Sequence, residues 1–387
     1  MSSAGPFPRC SAAHEQRELV RRTDALHGLL AAWLDTPGLT VACGHWEDGA
    51  VSEIVPEGRA VLLPARYGGV FAGVRELRLT GAAHHLHIDL GRVERLRFTL
   101  APCVCLGFKP SFEVRLMSRN RAGTASGDWS LSLMLGAPYA GESLDQEAAR
   151  GFLARACAQL RAHPELTEIV VDEQVRASLA GQAILPLLRE HAGTPDGDWP
   201  GVLRALRPAA PHAEPHSAAD PAILPLLREA LRLPDATLVV HRERVLVEFQ
   251  TELLDGVHRY EEQGHVSWQI GAQHDHHSHL SLSAVDHVLF SAQASPCQGG
   301  GLNYTVWFQT ARPSGNPFQP HGYFSVTLNR PYAQGRPRVE VIEPLLDLYR
   351  RFRDAPWVVA DAAFLRVLAE GPPTRAESTV ELQENLT

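Results

Sequence analysis

The chain has 387 residues, of which 44% are apolar and 21% charged, with a formal net charge of −8. That length exceeds what one ordinary core fills and suits two units, and the acidic balance argues against nucleic acid or an anionic membrane as partner. The first 36 residues carry charges throughout (Arg17, Glu18, Arg21, Arg22, Asp24) and no stretch is apolar for 18 residues, so the expectation is a cytoplasmic protein with no membrane insertion.

A helix is expected over Glu15–Leu34, followed by strands in which apolar residues alternate. Leu86, Ile88 and Leu90 share one face, then Leu96, Phe98 and Leu100, then Phe112, Val114 and Leu116, then Trp129, Leu131, Leu133 and Leu135. Short polar or Gly/Pro connections, such as Arg119 to Asp128, suit antiparallel hairpins. Six cysteines are too few for a disulfide scaffold, and Cys103-Val104-Cys105 lacks the two-residue spacer of a zinc or redox motif. A second helix, Ser143–His163, carries Phe152, Leu153, Ala156 and Leu160 on one stripe and stops at Pro164.

From Thr194 to Pro221 the composition turns to Pro, Ala, Asp and His, as in a linker. Ala183-Ile184-Leu185-Pro186-Leu187-Leu188-Arg189-Glu190 recurs as Ala222 to Glu229, which reads as two similar amphipathic helices, the second over Ile223–Leu231. Alternation then resumes through Leu280 and Leu282, Val288 and Phe290, Tyr304, Val306 and Phe308, and Phe324, Val326 and Leu328. A closing helix over Val339–Asp354 ends before Pro356.

This order is written twice. His84-His85-Leu86-His87-Ile88-Asp89-Leu90 returns as His276-His277-Ser278-His279-Leu280-Ser281-Leu282, 192 positions later, and at the same offset Phe112-Glu113-Val114 returns as Tyr304-Thr305-Val306. Phe152–Leu166 matches Pro344–Val358, and Pro138-Tyr139-Ala140 matches Pro331-Tyr332-Ala333. The expected fold class is therefore α+β, a tandem duplication in which each half is an antiparallel sheet with flanking helices. The expected division is a first repeat at 1–166, a connection at 167–221, a second repeat at 222–370 and a disordered tail at 371–387.

Strand parity puts His84 and His276 with the leucines and sends His85, His87, His277 and His279 to the other face. Two histidines at i and i+2 stand about 6.5–7 Å apart along a strand, within reach of one metal ion. His85 and His87 in the first copy, and His274, His277 and His279 in the second, are thus candidate ligands for a divalent transition metal. The opposing reading is a solvent-facing strand with polar histidines and no ligand. There is no Gly-rich phosphate loop, no His-Glu-x-x-His and no Gly-x-Ser-x-Gly, so ordinary hydrolase chemistry has little support.

From Ala236 to Trp357 the chain resembles the cytoplasmic haem-utilisation proteins of the HemS/HmuS/ChuX type, themselves internal duplications of a sheet with flanking helices. The resemblance rests on Thr237-Leu238-Val239-Val240-His241-Arg242 as opening strand, on His279-Leu280-Ser281-Leu282 followed by Val285 and Val288, on Tyr304–Phe308, and on Phe324–Pro331 with the closing helix. It implies a protein that binds haem or a related tetrapyrrole in trafficking, storage or degradation, with transient contacts to a haem donor or acceptor protein and a homodimer left open. The family's axial histidine falls on Phe249-Gln250-Thr251-Glu252, so Gln250 stands where an imidazole is expected, and His258, His265, His277 or His279 would have to substitute. Arg330 matches a basic position suited to a haem propionate. Two other readings stand beside it: a non-haem metal protein or metalloenzyme built on the His-x-His pairs, and a ligand-free scaffold or regulatory protein.

Overall fold

A computed structural model describes residues 9–171 and 221–375, apart from short loop segments between strands. Most of the connection at 167–221, including Ala183–Glu190, and the tail from 376 onward lie outside the described residues. The elements in order are α1 (Arg9–Leu34), β1 (Leu39–His45), β2 (Ala50–Ile54), β3 (Ala60–Pro64), β4 (Arg75–Thr80), β5 (His84–Asp89), β6 (Val93–Pro102), β7 (Pro110–Arg119), β8 (Ala125–Leu135), β9 (Tyr139–Ala140), β10 (Ser143–Leu144), α2 (Gln146–Ala162) and β11 (Thr167–Val171). After the connection come α3 (Leu224–Ala230), β12 (Ala236–Arg242), β13 (Val245–Gln250), β14 (Val257–Glu262), β15 (His265–Gly271), β16 (His277–Leu280), β17 (Val285–Ala294), β18 (Leu302–Thr310), β19 (Gly322–Leu328), β20 (Tyr332–Ala333), β21 (Arg336–Pro337), α4 (Val339–Phe352), β22 (Val358–Ala360) and α5 (Ala362–Glu370). The fold is α+β with mainly antiparallel sheets, as the alternation implied. No helix among the described residues is long and apolar enough to cross a membrane.

Two compact units emerge, each discontinuous in sequence: Met1–Thr40, Pro56–Thr80 and His87–Ala209 form one, and Val41–Val55, Gly81–Leu86 and Ala210–Thr387 form the other. In the first unit the strand order is β11-β6-β7-β8. β6, β7 and β8 form an antiparallel meander, whereas β11 runs parallel to β6. A parallel neighbour needs a crossover, and α2 supplies it. The side-chain carboxylate of Asp145 caps that helix by accepting from the Glu147 and Ala148 amides. Trp33 of α1 packs against Phe98 and Phe152, and its Nε1 donates to Gln159 Oε1 at 2.6 Å.

The second unit repeats this plan with β22-β17-β18-β19-β12-β13, β22 again parallel after a helix, here α4. Val341, Ile342, Leu345, Leu346 and Leu348 form the buried stripe of α4. Phe290, Tyr349 and Phe364 meet edge-on or tilted at 5.2–5.5 Å between centroids. Cys43 and Cys157 are buried free thiols, and Cys103 is a half-buried one.

Strands β1 to β4 go beyond the sequence reading, which began the first sheet at Leu86. Their place is informative. In the second unit, β2 from the N-terminal half pairs antiparallel with β16 from the C-terminal half, giving a run β1-β2-β16-β15-β14. The second copy of the histidine segment, β16, therefore lies between β15 of its own half of the sequence and β2 of the other. His277 lies opposite Glu53, and Ser278 opposite Ser52.

Candidate functional site

The register of that five-strand run fixes which side chains share a face. Cross-strand partners point the same way, and alternate residues point oppositely. One face carries Cys43, Ser52, Ser278, Ile270, Trp268 and Leu280, an apolar surface interrupted by one hydroxyl pair, Ser52 Oγ to Ser278 Oγ at 2.6 Å. The opposite face carries a row Ala42–Glu53–His277–Gly271 and, one step along, Val51–His279–Gln269–His258. The parity expected for His277 and His279 is thus what the strand shows. Their environment is not the solvent-facing one of the ligand-free reading: they are 6% and 3% exposed.

The geometry of this polar patch is compact. His277 Nε2 lies 3.5 Å from Glu53 Oε2, and the His277 and His279 rings meet edge-on at 5.0 Å between centroids. Tyr260 stands edge-on to His279 at 5.2 Å, and Ser267 Oγ lies 3.4 Å from His279 Nδ1. One donor atom from each of Glu53, His277 and His279 lies within 4.8 Å of the other two. Burial, with the neighbouring His277 adding to it, pushes His279 down to about 3, so its imidazole is neutral at physiological pH.

Small residues stand at both ends of the row. Ala42 flanks Glu53 on one side, and Gly271 flanks His277 on the other. Gly271 has φ of 90°, and a Cβ there would stand 2.4 Å from the His276 carbonyl oxygen and 3.2 Å from His277 Cα, so only glycine allows β16 to approach this closely. His276 Nδ1 accepts from the Val55 amide at 3.2 Å, tying the start of β16 to the end of β2.

The other expected site residues fall elsewhere. His258, on β14, is exposed, while Gln250 is half-buried at the end of β13, paired with Thr237. His265 begins β15 and His85 and His87 lie on β5 as regards backbone, but their side chains are outside the described residues, as is His274 altogether. Arg330 is committed to Asp235 by two 3.1 Å hydrogen bonds from Nε and Nη2, yet its side chain remains 77% exposed. Arg338 joins the same carboxylate at 2.6 Å. Sequence reasoning missed Glu53 because nothing in the repeat pattern marks β2, and the pairing of Ser52 with Ser278 bridges 226 positions.

No family model and no curated protein sequence matches the chain. Among solved structures it is similar to ChuS, a haem-degrading enzyme of Escherichia coli O157:H7, at 12% identity over 83% of this chain and 84% of that one, with a TM-score of 0.38. It is also similar to the haem-binding protein PhuS of Pseudomonas aeruginosa in its haem-bound form, at 13% identity over 89% of this chain and 85% of that one, TM-score 0.37. The haem-free form of PhuS gives 15% identity over 81% and 82%, TM-score 0.39.

Proposed function

We propose that this chain binds haem or a related tetrapyrrole and acts in its trafficking, storage or degradation. The observation that carries this reading is the element order of the C-terminal half. An opening strand at Ala236–Arg242, the strands β16 to β19 and the closing helix α4 follow one another as the sequence resemblance to the haem-utilisation proteins requires.

The residues fit haem in part. Gln250 offers an amide, a poor iron ligand, and His277 and His279 are too enclosed for a planar macrocycle to reach without opening the sheet face. His258 is the exposed imidazole among the described candidates, on the edge strand of the run and directly opposite Gln269. Gly256, with φ of 70°, leaves the space beside its ring open: His258 Nε2 stands 3.6 Å from where a Cβ would be. Arg330, exposed beside Asp235, offers a guanidinium to a propionate carboxylate. In this reading His258 is the axial ligand and Arg330 a propionate partner.

Titration of the purified full chain with haemin tests it. A shifted Soret band at one equivalent is expected, with at least a tenfold weaker affinity for His258→Ala and a smaller loss for Arg330→Ala. The absence of any Soret shift with folded wild-type protein overturns the reading, and an unaltered spectrum for His258→Ala removes that residue from it. Loss of the Soret band over time with a reductant and dioxygen separates degradation from carriage.

A further inference from the structure

We propose that Glu53, His277 and His279 form a binding site for one divalent first-row transition ion, of the kind held by imidazole and carboxylate, and that this site is separate from any haem site. Three observations converge on it. The donor atoms belong to strands β2 and β16 paired in register, so backbone hydrogen bonding places Glu53 directly across from His277, and the i and i+2 spacing places His279 on the same face. All three donors lie within 4.8 Å of one another. Ligands at about 2.0–2.2 Å from a tetrahedral ion stand about 3.3–3.6 Å apart, so side-chain rotations of about an ångström close the set around an ion.

The burial is the second observation. His277 and His279 are 6% and 3% exposed, and the Glu53 side chain is 13% exposed. The nitrogen donors and the carboxylate are thus gathered largely out of bulk water, where a bound dication interacts with them more strongly than at an open surface. The third observation is the surroundings. Ser267 Oγ next to His279 Nδ1 is the kind of outer contact that fixes a ligand ring and directs Nε2 toward the ion.

Two imidazoles and one carboxylate select the class of ion. Zn(II) and Fe(II) suit this donor set, whereas soft thiophilic ions and the oxygen-seeking Mg(II) and Ca(II) do not. Three protein ligands also leave a coordination position for water or a small anionic ligand, which is the arrangement of reactive rather than purely structural sites.

The experiment uses the full chain, stripped with chelator and free of haem, titrated with Co(II) as a spectroscopic probe and then with Zn(II) in competition. One equivalent of Co(II) with visible d–d bands is expected, displaced by Zn(II), together with a rise in Tm on adding Zn(II) that chelator reverses. Glu53→Gln and His279→Gln are each expected to weaken Co(II) at least a hundredfold, and Ser267→Ala about tenfold. His321→Ala, an exposed histidine on another strand connection, is expected to leave the affinity unchanged. Folded wild-type protein that takes up no Co(II) overturns the proposal, as does wild-type affinity in both Glu53→Gln and His279→Gln. The Zn(II)-induced Tm shift of the wild type decides the matter if those variants fold poorly. A haemin titration of Glu53→Gln with an unchanged Soret response shows that the two sites stand or fall separately.

Discussion

Two carboxylates on strands of this protein, Glu113 buried and Glu53 half-buried, have different neighbours. Glu113, on β7, is 4% exposed and accepts hydrogen bonds from the Ser111 hydroxyl, from Ser132 Oγ at 2.9 Å and from Arg115 Nε at 2.7 Å. All its partners come from its own strand or from its neighbour β8, and one of them is a permanent cation. Glu53 faces imidazoles at 3.5 Å and beyond, one of them held neutral by burial. A carboxylate saturated by a guanidinium and hydroxyls has been given a structural task. Glu53 instead shares a face with His277 and His279, with one donor atom from each of the three within 4.8 Å of the others, which is the set the proposed ion would use.

The largest effect should come from Arg115→Ala. Removing the guanidinium leaves Glu113 ionised and buried with only two hydroxyls, and breaking a buried pair in this way costs about 3–5 kcal/mol. Urea unfolding measures it. A loss below about 1 kcal/mol would mean that the serines alone sustain the carboxylate, and the contrast with Glu53 would collapse.

Next comes Gly271→Ala. A left-handed backbone at 90° and a Cβ only 2.4 Å from the His276 carbonyl oxygen together should cost about 2–3 kcal/mol, read as a lower Tm. Because the clash falls at the start of β16, the same variant should also lose Co(II) affinity, whereas Gly335→Ala, also at positive φ but with open space around it, should lose stability alone.

How far the sequence reaches is visible in these same residues. The period-two alternation places β5 to β8 and β16 to β19, because each has one face on a core and one face carrying polar groups. Parity also separates His277 and His279 from Leu280. It does not disclose that both faces of β16 are buried, since a histidine is equally at home in water and in a satisfied interior. Glu53 is illegible for a different reason: β2 is short, lacks a histidine counterpart in the repeat, and meets β16 only through long-range pairing. The parallel strands β11 and β22 escaped notice because three to five residues after a helix carry too little pattern to show alternation. Arg330 was legible as a basic position, but its ion pair with Asp235 depends on a residue in αL conformation, φ 51°, at the mouth of β12.

Acid should weaken the Glu113 network by a smaller margin. Burial alone would raise the Glu113 carboxyl; the Arg115 charge and the hydrogen bonds from Arg115, Ser111 and Ser132 outweigh it and hold the group below its ordinary 4.5. The unfolded chain therefore takes up this proton at higher pH than the folded one does. The stabilisation is complete above the unfolded value and is lost as pH falls from about 5 through the lowered folded value. Glu113→Gln should flatten the decline of urea stability over that window. An identical slope in wild type and variant would show that other groups govern the acid limb.

The smallest effect tests whether the Glu113 network needs its charge at all. At the matching place in the second half, Thr305 replaces Glu113, Asn303 replaces Ser111, and Trp307 replaces Arg115. Thr305 Oγ1 lies 3.1 Å from Thr327 Oγ1 and accepts from Asn303 Nδ2 at 3.3 Å. A neutral hydroxyl and an amide thus stand where the first half has a carboxylate and a hydroxyl, and an indole stands at the place of the guanidinium. Thr305→Val keeps the shape of a side chain that is 2% exposed and removes only its hydroxyl, leaving Thr327 and Asn303 each short of a partner. A neutral hydrogen bond of this kind contributes about 1 kcal/mol, so the urea midpoint should fall by a third or less of the Arg115→Ala shift. Equal losses would mean that packing rather than charge sets both, because of these two networks it is that of Glu113 that contains an ion pair, one that cannot be broken from one side without stranding a charge.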